Sequence, residues 1–446
     1  MSQTNTDVPA TLISIQALLN KPLTIPAYQR PYKWEVAHVN QLIDDLLRHR
    51  EKTCYQLGTV VLFNDSDKPE FDVVDGQQRL LTLTLLHHFL DPEHKHCKPT
   101  LLESGFESTT SQRNIRHNAA VVKSRVEQLE KTTRDSLRDF LLKHCQMVAV
   151  TLTDLSEAFQ FFDSQNSRGK SLAPHDLLKA FHLREMQGCN EAQKKHTVSG
   201  WEADIAPEDH NTPALHRMMA DYLYPIRRWT QGDSGLGFDK RQIGCFKGVN
   251  LQEHHYPWVE ALKATDCMVA HYNAETSRRW DQQQRSYPFQ LDQPMINGTH
   301  FFTYVQHYIA LWKSLFVDEL PALKALRETI HSPTYQGRHR VGDHYVRKLF
   351  YCAVLYYYDR FGQTELERAA NLCFRWAYRI RLEKQRVTQE SIDNAAKGKD
   401  SLIRAIGRAQ HPHEVLSVHI ENPTSVNASN VKGLASHFPG LKEEDK

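Results

Sequence analysis

The chain has 446 residues, too many for one ordinary core, so two or three domains are expected. With 40% hydrophobic and 24% charged residues it reads as a soluble globular protein rather than a disordered one, and it has no apolar run of about 18 residues to span a membrane. Lys and Arg number 55 against 53 Asp and Glu, a balance that neither requires nor excludes nucleic acid, because local patches outweigh the sum.

The first residues, MSQTNTDVPATLISIQALL, lack the basic and apolar regions of a secretory signal, so a cytoplasmic protein is expected. HVNQLIDDLLRHR (38–50) places Val39, Leu42, Ile43, Leu46 and Leu47 at helical spacing. CYQLGTVVLF (54–63) and EFDVVD (70–75) are strand-like and are separated by a turn-like NDSDKP. The leucine-rich 80–90 is apolar on every side, and its length and composition favour a buried helix. Helical periodicity covers 111–146, MVAVTL (147–152) is a short strand, and a helix, a polar loop and a second helix follow to about 186, with Pro174 suited to a first helical turn. The polar stretch 188–212 reads as loop and marks a domain boundary. The rest is mostly helical, with aromatic-rich segments at 300–316 and 346–361 and loops at 230–255 and 285–298. From about 421 the pattern weakens, as in a poorly ordered tail.

The eight cysteines form no C-x-x-C pair, so free thiols in a reducing compartment are expected. Among the 25 histidines, HPHE at 411–414 offers a pair but no third or fourth metal ligand nearby.

Three polar clusters carry candidate chemistry. IPAYQRPYKW (25–34) is too proline-broken for a helix and too polar for core. It is either an extended arm packing its rings on the domain or an arm presenting Arg30 and a ring to a ligand. In DGQQR (75–79), Gly76 permits a tight strand-to-helix turn or close approach of a ligand. A helix starting there offers unpaired N–H groups and a positive dipole end, and Arg79 adds a fork suited to phosphate. Asp75 could hold a divalent ion or orient a water; alternatively Arg79 pairs with Asp75 and the turn is structural. NSRGKSLAPHDLLKA (166–180) sets Asn166, Arg168 and Lys170 around Gly169, followed by Asp176 and Lys179 on the next helix. It is an anion-binding loop or a plain polar one.

In this order and at these distances, IPAYQRPYKW, DGQQRLLTL and FFDSQNSRGKSLAPHDLLKA resemble the N-terminal domain of the GmrSD-type restriction proteins, bacterial anti-phage systems that attack modified DNA. The resemblance covers roughly residues 10–190 and implies an α+β chain: a ParB/sulfiredoxin-like α/β domain over 10–190, then a mostly helical domain at 210–420 and a tail at 421–446. It further implies a site that binds and hydrolyses a nucleoside triphosphate with Mg2+ or another divalent ion. Asp75, Gln78 and Arg79 would be catalytic, with Asp75 at the metal. Gly76 and Gln77 would bind the nucleotide, with Tyr28, Gln29 and Arg30 lining the site and Asn166, Arg168 and Gly169 close by.

Two departures from the family pattern matter. Ala173-Pro174 stands where relatives often carry a Ser or Thr cap, worth about 1 kcal/mol. The HNH nuclease of complete members has no full counterpart in 191–446; HHYPW, HPHE and SVHIENP are partial matches at most. Cleavage would then belong to a partner nuclease encoded nearby. Basic residues beside aromatics at 227–229, 278–280, 337–348 and 375–386 suit DNA contact or, alternatively, solvated helix faces. Besides an NTPase subunit, the pattern admits a non-catalytic DNA- or partner-binding module and a protein that itself nicks DNA.

Overall fold

The structure, a computed structural model, describes residues 10–441 except 27, 28, 30, 65–68, 98, 99, 104, 107, 108, 154–172, 187, 206, 208, 210, 276, 278–282, 319, 424, 425 and 440. The chain forms two compact units, the first ending at residue 172 and the second starting at Ala173. The class is α+β, a mixed sheet with helices followed by a helical second half.

The first unit is built on five strands: β1 Ala10–Ser14, β2 Leu23–Thr24, β3 Tyr55–Asn64, β4 Phe71–Asp75 and β5 Cys145–Leu152. Their order is β1-β5-β3-β4-β2. The pairs β1/β5 and β3/β4 are antiparallel, and β5/β3 and β4/β2 are parallel. Its helices are α1 Ile15–Leu19, α2 Val36–His49, α3 Gln77–Leu90, α4 Thr100–Glu103, α5 Thr109–Glu127 and α6 Lys131–Asp139. Alternation along β3 decides which residues face the main core. Val60 and Leu62 join the leucines of α3, while Val61 meets Val74, Val150 and Leu152 on the other face. Helix α3 is apolar all round because it is buried all round, with Leu80, Leu81, Leu83 and Leu86 fully enclosed. Its two internal threonines stay satisfied by returning their hydroxyls to the helix: Thr82 donates to the Gln78 carbonyl at 2.9 Å and Thr84 to that of Leu80 at 2.7 Å.

In chain order the second unit contains α7 Pro174–Arg184, α8 Glu191–Ile205, α9 Leu215–Arg217, α10 Tyr224–Gln231, α11 Pro257–Ala274, α12 Thr299–Phe316, α13 Lys324–His331, α14 Val341–Phe361, α15 Leu366–Glu383, α16 Gln389–Lys397, α17 Leu402–Arg408 and α18 Pro412–Leu416. Ala173 precedes α7 without a side-chain cap, as its sequence requires. The imidazole of His182 on α7 donates from Nε2 to the Phe246 carbonyl at 2.9 Å and stacks on Phe301 with ring centroids 3.8 Å apart. This ties α7 to the second unit.

The structure differs from the sequence reading in two places here. The polar stretch taken as loop at 188–212 contains α8. That helix shows no apolar period because it is anchored mainly by Trp201, fully buried against Phe301 and Phe302. The stretch after 421, read as a weakly ordered tail, packs Val431, Leu434 and Phe438 into the second unit, and its Asn427 and Ala428 N–H groups reach the Leu382 carbonyl at 2.9 and 3.3 Å. No helix among the described residues is long and apolar enough to cross a membrane.

Burial also sets a pH response. Desolvation is the largest effect on both fully buried histidines, lowering His87 to about 4 and His182 to about 3. Folded values below the ordinary 6.5 mean that the unfolded chain takes up protons first, so stability present above pH 6.5 is lost as pH falls towards 4. Each neutral histidine is expected to cost roughly 2 kcal/mol of stability by pH 5. Denaturant melts at pH 7 and pH 5 measure this, and His182→Gln should flatten the pH dependence of the second unit.

Candidate functional site

The DGQQR turn sits where β4 meets α3. Asp75 ends the strand, Gly76 adopts a left-handed conformation (φ 89°), and Gln77 opens the helix. Gly76 is also pressed onto β3: a Cβ there would lie 3.2 Å from the Thr59 carbonyl oxygen and 3.4 Å from the Val60 Cα. Only glycine meets both demands without strain. Having no side chain, it caps none of the first N–H groups of α3, which are left for another acceptor.

Irregularities in the sheet aim the residues around this turn. The β3/β5 register shifts between Gln56 and Thr59, around Gly58 with φ 100°. That glycine makes room for Arg79, whose Nη1 lies 2.7 Å from where a Gly58 Cβ would be. The β3/β4 register shifts as well: Val61 faces Asp75 and Leu62 faces Val73, leaving Val74 as an extra residue. On the open side of β4, beyond the two-residue β2, Gln29 Nε2 donates to the carbonyls of Val73 at 3.0 Å and Val74 at 2.6 Å.

Gln78 holds the arm. Its Oε1 accepts from the Lys33 and Trp34 N–H groups at 2.7 and 3.2 Å, and its Nε2 donates to the Pro31 carbonyl at 3.2 Å. Tyr32, fully buried, shares its hydroxyl with Thr82 at 2.8 Å and Asn118 at 3.1 Å. From α5, Asn114 binds the Tyr32 carbonyl at 2.9 Å and Asn118 that of Trp34 at 2.8 Å. The arm is therefore clamped between the start of α3 and one face of α5. Tyr32 packs inward, as the packing reading of the arm expects; the other reading turns on Arg30, which lies outside the described residues.

Arg79 forms no ion pair among the described residues. Desolvation lowers the pKa of its guanidinium, with Asp75 partly opposing this through space. The group stays charged and is half-buried. The alternative of a neutralised Asp75–Arg79 pair is therefore not what the geometry shows. Gln77, only 6% exposed, has an Oε1 with no hydrogen-bond partner among the described residues. The structure thus brings Gln29, Asp75, Gly76, Gln77, Gln78 and Arg79 to one turn. Tyr28, Arg30, Asn166, Arg168 and Gly169 lie outside the described residues. Lys179, considered with that last loop, is buried and paired with Glu202 at 2.7 Å.

Residues that position this site but were not singled out in the sequence are Gly58, Asn114 and Asn118. A glycine inside a strand-like run was the available signal for the first; nothing local marked the two asparagines. Residues 87–97 gather four histidines, Asp91 and Cys97, with His96 Nδ1 2.9 Å from Asp91 Oδ2 and His87 Nε2 3.2 Å from Cys97 Sγ. Among the described residues no group of three or more His, Cys, Asp or Glu is placed to hold a metal. HPHE is a helix cap: the His411 N–H donates to Glu414 Oε1 at 3.0 Å at the start of α18.

A family described as the GmrSD restriction endonuclease N-terminal domain matches residues 15–183, and a family of unknown function, DUF7834, matches residues 193–433. The chain belongs to the DUF7834 family through its second half and carries a GmrSD-type restriction N-terminal domain in its first. No curated protein matches it. The turn described above lies within the GmrSD-type match, while the basic segments of the second half lie within DUF7834. Several of those DUF7834 cations are engaged internally. Arg227 donates to the carbonyls of Leu291 and Gln293 at 2.8 and 2.9 Å, and Arg375 to that of Ile420 at 3.2 Å. Arg379 pairs with Glu383 at 2.7 Å and with Glu421 at 3.2 Å.

Gln78→Ala removes all three hydrogen bonds to the arm and is expected to destabilise the first unit by about 1–3 kcal/mol. Hydrogen exchange should show the Lys33 and Trp34 amides losing protection first. Gly58→Ala forces a side chain into a left-handed position against Arg79. Urea melts are expected to place its cost at about 1–2 kcal/mol, and a variant as stable as the parent would show that Gly58 does not seat Arg79.

Proposed function

We propose that the GmrSD-type unit binds a nucleoside triphosphate at the β4–α3 turn with a divalent ion and hydrolyses it, as the nucleotide-using subunit of a restriction system whose DNA cleavage is done by a separate nuclease. Membership in the restriction family sets the biological frame. The observation that carries the chemistry is the half-buried Arg79 guanidinium, without an ion-pair partner among the described residues, beside an uncapped helix N-terminus. A fixed cation next to free N–H groups is a phosphate site.

The residues fit such a ligand in kind. Mg2+ bound to a triphosphate commonly takes one or two carboxylates, with phosphate and water supplying the rest, and Asp75 is a carboxylate at the mouth of the turn. When bound, the ion would neutralise phosphate charge. Arg79 would bind phosphate oxygens, Gly76 would let the ligand approach the backbone, and the Gln77 carbonyl oxygen would accept from the nucleotide or a bound water. Gln78 and Gln29 serve by holding the arm, and the family resemblance adds Tyr28 and Arg30 to the nucleotide-lining set. Asn166, Arg168 and Gly169 complete the set that the family resemblance implies.

A second reading, a unit that binds nucleotide without turning it over, is favoured by Gln78. Its amide is committed to the arm backbone, leaving Asp75 to orient water unaided. Phosphate release with Mg2+ and each nucleoside triphosphate decides between the two. Arg79→Ala is expected to lower release at least a hundredfold, in the range of about 10²–10³ for loss of one charge-stabilising donor. Equal release by parent and variant would remove the assignment; binding that is lost in the variant, with no release by either, would select the second reading.

A further inference from the structure

We propose that the DUF7834 unit contains a binding site for a nucleoside phosphate, in the cavity between the Trp312–Phe316 end of α12, α13 and the first turns of α14. This site is independent of the triphosphate reading of the first unit. The cavity measures about 1030 Å3, ample for a nucleotide, since pockets for ligands of that size run roughly 300–1,000 Å3.

Its two kinds of wall define the ligand. One wall is aromatic: Trp312, Phe316 and Tyr351 are nearly buried, Phe316 and Tyr351 stack at 4.3 Å, and Tyr222 stands 5.7 Å from Trp312. The other is cationic. Arg217, Arg327 and Arg347 line the cavity, and none is in an ion pair among the described residues. Lys348 is paired with Asp221, and Asp209 also lines the cavity, so four cations face two carboxylates and the lining keeps an excess of positive charge. Two buried donors, Trp312 Nε1 and Arg327 Nη1, have no acceptor among the described residues. A buried N–H without an acceptor is destabilising unless a ligand supplies one. His331 reports the same positive field: burial first, and then Arg347 and Arg327, oppose its protonation.

A plain anion would use the guanidiniums and leave the aromatic wall idle. An apolar ligand would leave the Arg217 and Arg327 guanidiniums without a counter-charge, since Arg347 already meets the Arg338 carbonyl and the His344 ring. A phosphate joined to a flat base answers both walls, through forked Arg–phosphate bonds and ring stacking. A second cavity of about 470 Å3, lined by Arg340 and Arg386, shares Tyr345 and Gln389 with the first. The pair of cavities has room for neighbouring units of a strand, so a single-stranded nucleic acid is one source of the nucleotide and a free mononucleotide the other.

Calorimetric titration of the full chain carrying Arg79→Ala, with each 5′-mononucleotide, adenosine, inorganic phosphate and a ten-nucleotide single strand, tests this. The Arg79→Ala background keeps nucleotide at the first unit out of the signal; if that background does not fold, the same comparison is made on the parent chain. Binding is expected for mononucleotides or for the single strand, with adenosine and phosphate far weaker. Arg327→Gln and Arg347→Gln should each weaken it about ten- to a hundredfold, with both variants still folded by circular dichroism. Mononucleotide binding assigns a free nucleotide; binding by the strand alone assigns nucleic acid. The proposal is overturned if neither binds, if phosphate alone binds as well as the nucleotides, or if both substitutions leave affinity unchanged.

Discussion

The first unit depends on how closely the turn after β4 lies against β3. Gly76 can rest on the Thr59–Val60 backbone only because it has no Cβ, and it can reverse direction there only because it tolerates φ 89°. With the turn in that place, α3 begins flush with the sheet. The Gln78 side chain is then level with the arm backbone, and Arg79, one residue on, reaches across to Gly58 on β3. A turn even slightly raised would separate the amide from the Pro31, Lys33 and Trp34 groups it joins. Local backbone conformation, arm docking and the position of the guanidinium are consequences of one close approach.

How far this could be read from the residues varies by element. The 38–50 helix, both strands flanking the NDSDKP turn and the leucine-rich helix were legible, because their periodicity comes from burial on one face or on all. Strand β2 was not, since two residues carry no period. Strand β1 is an edge strand with Leu12 exposed, and its partner β5 lies more than a hundred residues along the chain; nothing local announces such a pairing. The DGQQR cluster was legible as a turn, but the task of each amide was not. Gln78 looks the same in sequence whether it meets a ligand or a backbone, and only the position of the arm tells them apart. Helix α8 escaped notice because Trp201 alone does much of the anchoring that an apolar stripe does elsewhere. The run after 421 escaped because its apolar residues follow no period and are fixed by α15 and other distant segments, such as Gly337 donating to the Asn430 carbonyl.

Charge is similarly uninformative until its partners are known. The segment 375–386 has the densest run of arginines, yet Arg379 is paired with carboxylates and Arg375 with a carbonyl. Arg381 is buried against Asp343 at 3.4 Å. Removing a carboxylate from such a pair would leave a buried cation, so these arginines hold the unit together. The segment 337–348 is less conspicuous, but its Arg347 lines a cavity, bonded to the Arg338 carbonyl and the His344 ring and with no carboxylate partner among the described residues.

The same distinction separates paired from unpaired cations in both halves of the chain. A surface arginine in water attracts an anion weakly, because solvent screens it. A paired buried arginine has nothing left to offer. Arg79 and Arg327 belong to neither class: each is partly withdrawn from water, and neither is in an ion pair among the described residues; Arg79 stands beside the uncapped start of α3, and Arg327 has a buried Nη1 with no acceptor among the described residues. In such a setting a phosphate gains more than it does at the surface, since the guanidinium has already lost part of its hydration and its fork is held in place. The two units use unrelated scaffolds, a bulged sheet with a glycine turn in one and an aromatic cleft between helices in the other, to produce one electrostatic condition: a guanidinium with no ion-pair partner among the described residues.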